Sequence, residues 1–336
     1  MFKILPKHLF IGIVLFFPLS GLTAWHVHAA IPAAERAALI ALYNSTDGDN
    51  RTNNSGWKAP PLDVDGFAMP GTENTWFGVT TDAGNTTVTS IGLGRNQLSG
   101  SIPSELGNLL NLEGILLEFY QLTGTIPIQL GSLTNLINLD LQGNQLAGSI
   151  PAELGNLINL ATFSINSNML IGAIPMSLIN LSGLSNTDIG YDALYTNNVT
   201  LGTFLSGEDP DWGDTQTVAP ENVSASTTLD NSIEVSWTPI LYTADSGGYQ
   251  VFYSTSSGGP YTAFGTTIDK SASQMEVTGL NPGTSYFFVV KTLTEPHIQN
   301  QNTIESENSQ ETTATTTGDS SDGSGCFIAT AAFGFH

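Results

Sequence analysis

Between residues 88 and 195 the apolar positions recur every 24 residues. Ile91, Ile115, Leu139 and Phe163 form one column, and Leu106, Leu130, Leu154 and Leu178 form another. Gly100, Gly124, Gly148 and Gly172 keep the same register, as do Pro103, Pro127, Pro151 and Pro175. Within one unit, Leu139 and Leu141 alternate with Asn138, Asp140 and Gln142, which predicts a short strand with one buried face. A turn follows at Asn144. Gly148 and Pro151 then break the chain, and Leu154, Leu157 and Leu160 suit a 3-10 or short helical return. Such coils stack at roughly 4.8 Å into a parallel sheet over one continuous leucine core. Four complete units and a terminal one are predicted; the last runs through Ile189, Asp192 and Leu194 and loses the Gly and Pro columns, as a stack does where it ends.

The flanks read differently. Residues 31–87 form the N-terminal cap, with a helix over Ala33–Tyr43 that aligns Ala38, Leu39 and Leu42, and with Trp57 and Trp76 to cover the open core. Residues 196–216 form a closing cap and linker, with Trp212 as lid. From 217 to 317 short alternating strands such as Ile233-x-Val235-x-Trp237 and Tyr249-x-Val251-x-Tyr253, separated by Gly, Pro, Asn and Ser, predict an antiparallel sandwich. Residues 318–325 are a Gly/Ser/Asp linker and 326–336 a tail. At the other end, Lys3 and Lys7 precede the apolar run Leu9–Phe17, with small residues near Ala29 and Ala30. Residues 1–30 are therefore expected to be a signal peptide cleaved after Ala29 or Ala30, and too short an apolar run to favour a membrane span.

Composition narrows the functions. A net charge of −22 repels phosphate backbones and anionic lipid surfaces, so nucleic acid is not an expected partner. The single cysteine, Cys326, cannot form an intramolecular disulfide. Three of five histidines lie in or beside the leader, leaving His297 and His336, so no catalytic triad, metal site or cofactor is expected and the chain reads as a non-enzyme. Asp47 and Asp49 hint at a calcium loop, but Arg51 stands where a ligand is needed, and a cap turn is the better reading. Asp209, Asp211 and Asp214 read as a solvated turn.

The repeated string N-x-L-x-G-x-I-P-x-x-L-G-x-L-x-x-L resembles plant-type leucine-rich repeats. That resemblance implies an asparagine ladder through Asn96, Asn144 and Asn168, interrupted where Tyr120 replaces the asparagine. Trp76-x-Gly78-Val79 resembles the family's N-terminal cap, with Thr81 where that cap has cysteine. Leu280-Asn281-Pro282-Gly283-Thr284-Ser285-Tyr286 resembles the tyrosine corner of fibronectin type III domains, and Trp237 their buried tryptophan. Cys326-Phe327-Ile328-Ala329-Thr330-Ala331-Ala332-Phe333-Gly334 resembles the CFI-box tail of exported bacterial proteins, which implies modification or anchoring at Cys326.

The predicted fold is thus multidomain: a leucine-rich repeat solenoid followed by an all-β sandwich. The residues expected to project from the concave face are Arg95, Glu118, Phe119, Asp140, Gln142, Asn166, Asp188 and Tyr191, with Phe119 and Tyr191 as exposed aromatic anchors. They would bind a protein or glycan at the cell surface, the protein acting as a secreted or surface-held monomeric adhesion molecule with its second domain as spacer. Two alternatives remain: a structural envelope component without a specific ligand, and a fragment of a larger exported enzyme.

Overall fold

A computed structural model describes residues 30–119 and 121–318. Residues 1–29 of the expected signal peptide, Tyr120 and the Cys326 tail lie outside them.

The first apolar column becomes the spine of a six-stranded sheet: β1 (Val79–Thr81), β2 (Val88–Gly92), β3 (Gly114–Leu116), β4 (Asn138–Asp140), β5 (Thr162–Ser164) and β6 (Asn186–Asp188). β1 pairs antiparallel with β2 and the others are parallel. Ile91 lies opposite Ile115, Ile115 opposite Leu139, and Leu139 opposite Phe163, so each column stacks on itself. Each proline of the repeat stands just ahead of a 3-10 turn (Ser104–Asn108, Ile128–Ser132, Ala152–Asn156, Met176–Asn180). Its ring pre-sets φ, and its carbonyl accepts the turn's first hydrogen bond, as from Leu106 N at 3.2 Å. The leucines behind these turns are wholly buried. Coils approach so closely there that a Cβ on Gly131 would meet Glu153 at 2.5 Å, which explains glycine in the repeat.

Helix α1 (Ala33–Ser45) opens the solenoid, and Tyr43, Trp57, Phe67 and Trp76 pack ring against ring over its first coil. Arg51 is buried over Tyr43 and Trp57 and donates to Leu42 O and Thr46 Oγ1. Burial pulls its pKa down to about 10. It ties the turn as a cap. At the far end α2 (Val199–Glu208) begins at Asn198, whose Oδ1 accepts from Leu201 N, and Leu201, Leu205 and Trp212 close the core.

The ladder runs one coil beyond the repeats. Asn144 Oδ1 accepts from Leu122 N while Nδ2 donates to Leu117 O and Leu141 O; Asn168 does the same one coil on. Asp192 takes the next rung, accepting from Leu170 N at 2.8 Å. Gln216, again 24 residues on, accepts from Leu194 N and donates to Ile189 O.

The second domain is a sandwich built from β7 (Glu221–Leu229), β8 (Ser232–Thr238), β9 (Gly247–Ser254), β10 (Thr262–Thr266), β11 (Gln274–Thr278), β12 (Ser285–Thr294), β13 (Ile304–Glu305) and β14 (Thr312–Thr315). One sheet runs β7-β8-β11; the other runs β10-β9-β12-β13, with β14 also on β12. Trp237, Tyr249, Tyr286 and Phe288 fill its core, and Tyr286 OH accepts from Asn281 N at 2.9 Å.

The domains are joined by hydrogen bonds. The loop between β12 and β13 reaches back over the ladder, where the Asn300 amide donates to Asn168 O (2.9 Å) and Tyr191 O (2.6 Å) and Asn302 donates to Asn144 O (2.6 Å). Thr217 N donates to Asp192 O at 2.8 Å, and the Thr217 hydroxyl shares a buried hydrogen bond with that of Thr294 at 2.6 Å.

Candidate functional site

Each coil leaves its strand through a left-handed turn, at Arg95 (φ 58°), Phe119 (64°), Gly143 (65°), Ser167 (60°) and Tyr191 (59°). That turn carries outward residues from the strand face to the flank. Phe119 is 46% exposed; its ring leans on the Gly143 backbone, where a Cβ would come within 2.7 Å of it. The Arg95 guanidinium lies 4.9 Å from the ring centroid, a cation–π contact between neighbouring coils. Arg95 is exposed, and Glu118, Asp140, Gln142 and Asp188 are half-buried. Asp140 Oδ1 accepts from Gln142 N and Oδ2 from its side-chain amide, while Asp188 Oδ1 accepts from Gly190 N.

Two of the expected concave residues are placed otherwise. Asn166 is only 8% exposed: its main chain is bonded to adjacent coils through Asp188 O and Gly143 N, its carbonyl also accepts from the Asn168 amide of its own coil, and its amide turns toward Ser167 Oγ. Tyr191 is half-buried between domains, its ring centroid 6.2 Å from Tyr242 and 5.7 Å from His297. It serves the joint because the second domain folds back over its coil. Phe119 is left as the exposed aromatic of the pair.

The floor of the face is acidic toward its C-terminal end. Burial pushes the Asp188 carboxyl above its ordinary range, and the charges of Asp211 and Asp140 add to the shift. Asp209, buried and accepting from Ile189 N, is raised to about 6 by burial and then by Asp188 and Asp211. Asp209 is thus a structural cap of β6 rather than part of a solvated turn. Among the described residues no group of three or more His, Cys, Asp or Glu is arranged to hold a metal ion, and no helix is long and apolar enough to cross a membrane.

Sequence reading missed the joint. Asn300 and Asn302 sit in a polar loop with no motif, and Gln216 was hidden by the change from Asn to Asp to Gln along its column, although the 24-residue offset marks it.

Comparison with known proteins agrees with this architecture. Residues 87–109 and 135–157 match the family model Leucine Rich Repeat, and residues 218–313 match Fibronectin type III domain. The chain is similar to the solved structure of PEPR1-AtPEP1 (28% identity, 48% of this chain and 22% of that one, TM-score 0.41). It is similar to the ectodomain of the receptor kinase GASSHO1/SCHENGEN3 from Arabidopsis thaliana (31% identity, 48% and 18%, TM-score 0.40). It also resembles an Fn3-like protein from Clostridium thermocellum (30% identity, 29% and 90%, TM-score 0.24). The chain thus spans less than a quarter of the length of the first two. No curated protein sequence matches it. Topology, register and family matches together make this chain a solenoid of leucine-rich repeats followed by a fibronectin type III domain.

Proposed function

We propose that this is an exported, non-enzymatic recognition protein that binds a partner protein on the concave face of its solenoid, in adhesion or surface recognition. The observation that carries the reading is the acidity of that face: the Asp188 carboxyl is pushed up first by burial and then by the charges of Asp211 and of Asp140 two coils away. A cationic segment of a partner relieves that repulsion, and the overall charge of −22 steers such a segment inward. Arg95 and Phe119 form the opposite end of the face and supply a cation and an apolar anchor. The fibronectin type III domain holds the solenoid at a fixed attitude toward whatever carries the C-terminus, where Cys326 is the proposed point of attachment.

Selection from a displayed peptide library tests this. Enrichment of Lys- and Arg-rich peptides is expected, weakening with salt and lost in Asp140→Asn/Asp188→Asn. Enrichment without basic residues, or unchanged in the double variant, refutes the concave-face assignment.

A further inference from the structure

A groove of about 660 Å³ separates the ladder flank of the solenoid from the loop 296–302 of the second domain. It lies to the side of the acidic face, and its chemistry is different. Among the described residues that line it none is ionisable, and eight are Asn or Gln. Gln97, Gln121 and Gln145 form one wall, exposed and one coil apart; Ile298, Gln299 and Gln301 form the other.

The groove is built in advance. Its outer wall is held by Asn300, 1% exposed and bonded to two ladder carbonyls, and by Asn302 on a third. The loop is braced within itself by His297 N to Asn300 O at 2.7 Å and by the Gln301 amide to His297 O at 2.5 Å. A ligand entering it therefore meets groups already in place and incurs little ordering cost.

An amide side chain both donates and accepts, so a row of amides suits a ligand whose own polar groups do both. Sugar hydroxyls are of that kind. Uncharged walls give no counter-charge to uronates, sulfates or ionised peptide side chains, whereas the apolar surfaces of Phe119 and Ile298 suit the C–H faces of pyranose rings. Coil stacking places the three glutamines over about 10 Å, and an extended β-linked chain advances per sugar by nearly the distance between coils, so the stripe matches about three sugars.

We propose that this interdomain groove is a second binding site, one for a linear, uncharged polysaccharide segment, with Gln97, Gln121 and Gln145 reading successive sugars. It shares Phe119 with the concave-face reading but uses neither Asp140 nor Asp188, so the two readings fail separately.

Affinity electrophoresis of the full chain through gels holding soluble neutral polysaccharides (mixed-linkage β-glucan, xylan, mannan), with polygalacturonate as the charged control, tests the proposal. Isothermal titration with the matching hexasaccharide gives the affinity. Retardation by at least one neutral polymer is expected, insensitive to salt and absent with polygalacturonate. Gln121→Ala/Gln145→Ala should weaken it about tenfold or more, as expected for loss of two or more hydrogen bonds at a polar site. These side chains are exposed, so the variant's melting curve should match the parent's, and Asp140→Asn/Asp188→Asn should bind the glycan unchanged. No retardation by any neutral polymer, or equal retardation of the glutamine variant, overturns the proposal.

Discussion

The side chain of Asn300 donates to the main-chain carbonyl of Asn168 at 2.9 Å, across 132 residues of sequence and from one domain to the other. It donates equally to Tyr191 O at 2.6 Å. A single buried amide thus completes the rungs of two successive coils that the repeats leave open.

Replacing Asn300 by Ala leaves those two buried carbonyls without this donor, at a cost of about 1–3 kcal/mol. The cost falls on the joint, so differential scanning calorimetry of Asn300→Ala should resolve separate transitions for solenoid and sandwich, or a lowered single one. An unaltered thermogram would show that the domains are held together by other contacts.

Asp192 occupies a rung where its neighbours carry an amide. It is completely buried, and Oδ2 stands where Asn168 presents an NH₂ to carbonyls. Burial raises its carboxyl well above the ordinary range, which keeps it protonated. The folded chain then holds a proton that the unfolded chain releases, so this contribution is full at acid pH and is lost as pH rises through and above the carboxylate range. Asp192→Asn restores the amide without titrating. It should stabilise the protein by about 1 kcal/mol at neutral pH, with the gain shrinking toward acid pH in denaturant titrations. A gain that is independent of pH would contradict the protonated rung.

Lys270 is 2% exposed in the sandwich, its Nζ 4.4 Å from the Tyr242 ring centroid and without a hydrogen-bond partner among the described residues. Burial lowers its pKa to about 8, against the opposing pull of Asp245. Here the unfolded chain binds the extra proton, so stability should rise with pH between about 8 and the ordinary lysine value of 10.5. Lys270→Met should therefore raise the melting temperature at neutral pH and lose that advantage in alkali. Equal melting curves across this range would place the ammonium in contact with water.

Leu141 is fully buried between coils, and its truncation to Ala opens a cavity in the shared core. Chemical denaturation should register a loss of about 2–5 kcal/mol. A loss under about 1 kcal/mol would mean that the neighbouring coils close the gap.

What was legible in the sequence was whatever the repeat states many times over. The columns of Ile115, Leu139 and Pro151 predict strand, core and 3-10 turn because each position faces the same surroundings in every coil. Trp237 and Tyr286 are likewise fixed by alternation and a local corner. Tyr191 was misplaced because its exposure depends on Tyr242 and His297, over fifty and a hundred residues further on, and no periodicity encodes that packing. Asn166 shares the strand-to-turn position of Gln142, yet the Ser167 turn and the adjacent rungs enclose it. The amide groove was invisible for the same reason: one wall is periodic, and the other is a loop from the sandwich.

The loop 296–302 grips main-chain oxygens, those of Asn144, Asn168 and Tyr191, and a coil of any sequence offers main-chain oxygens at those positions. Coils could therefore be duplicated, deleted or exchanged upstream during evolution without redesign of the attachment, so long as the last three kept their stacking. The sandwich clamps onto backbone shape, which frees the array to lengthen or shorten and to vary its outward side chains while remaining fastened to the same support.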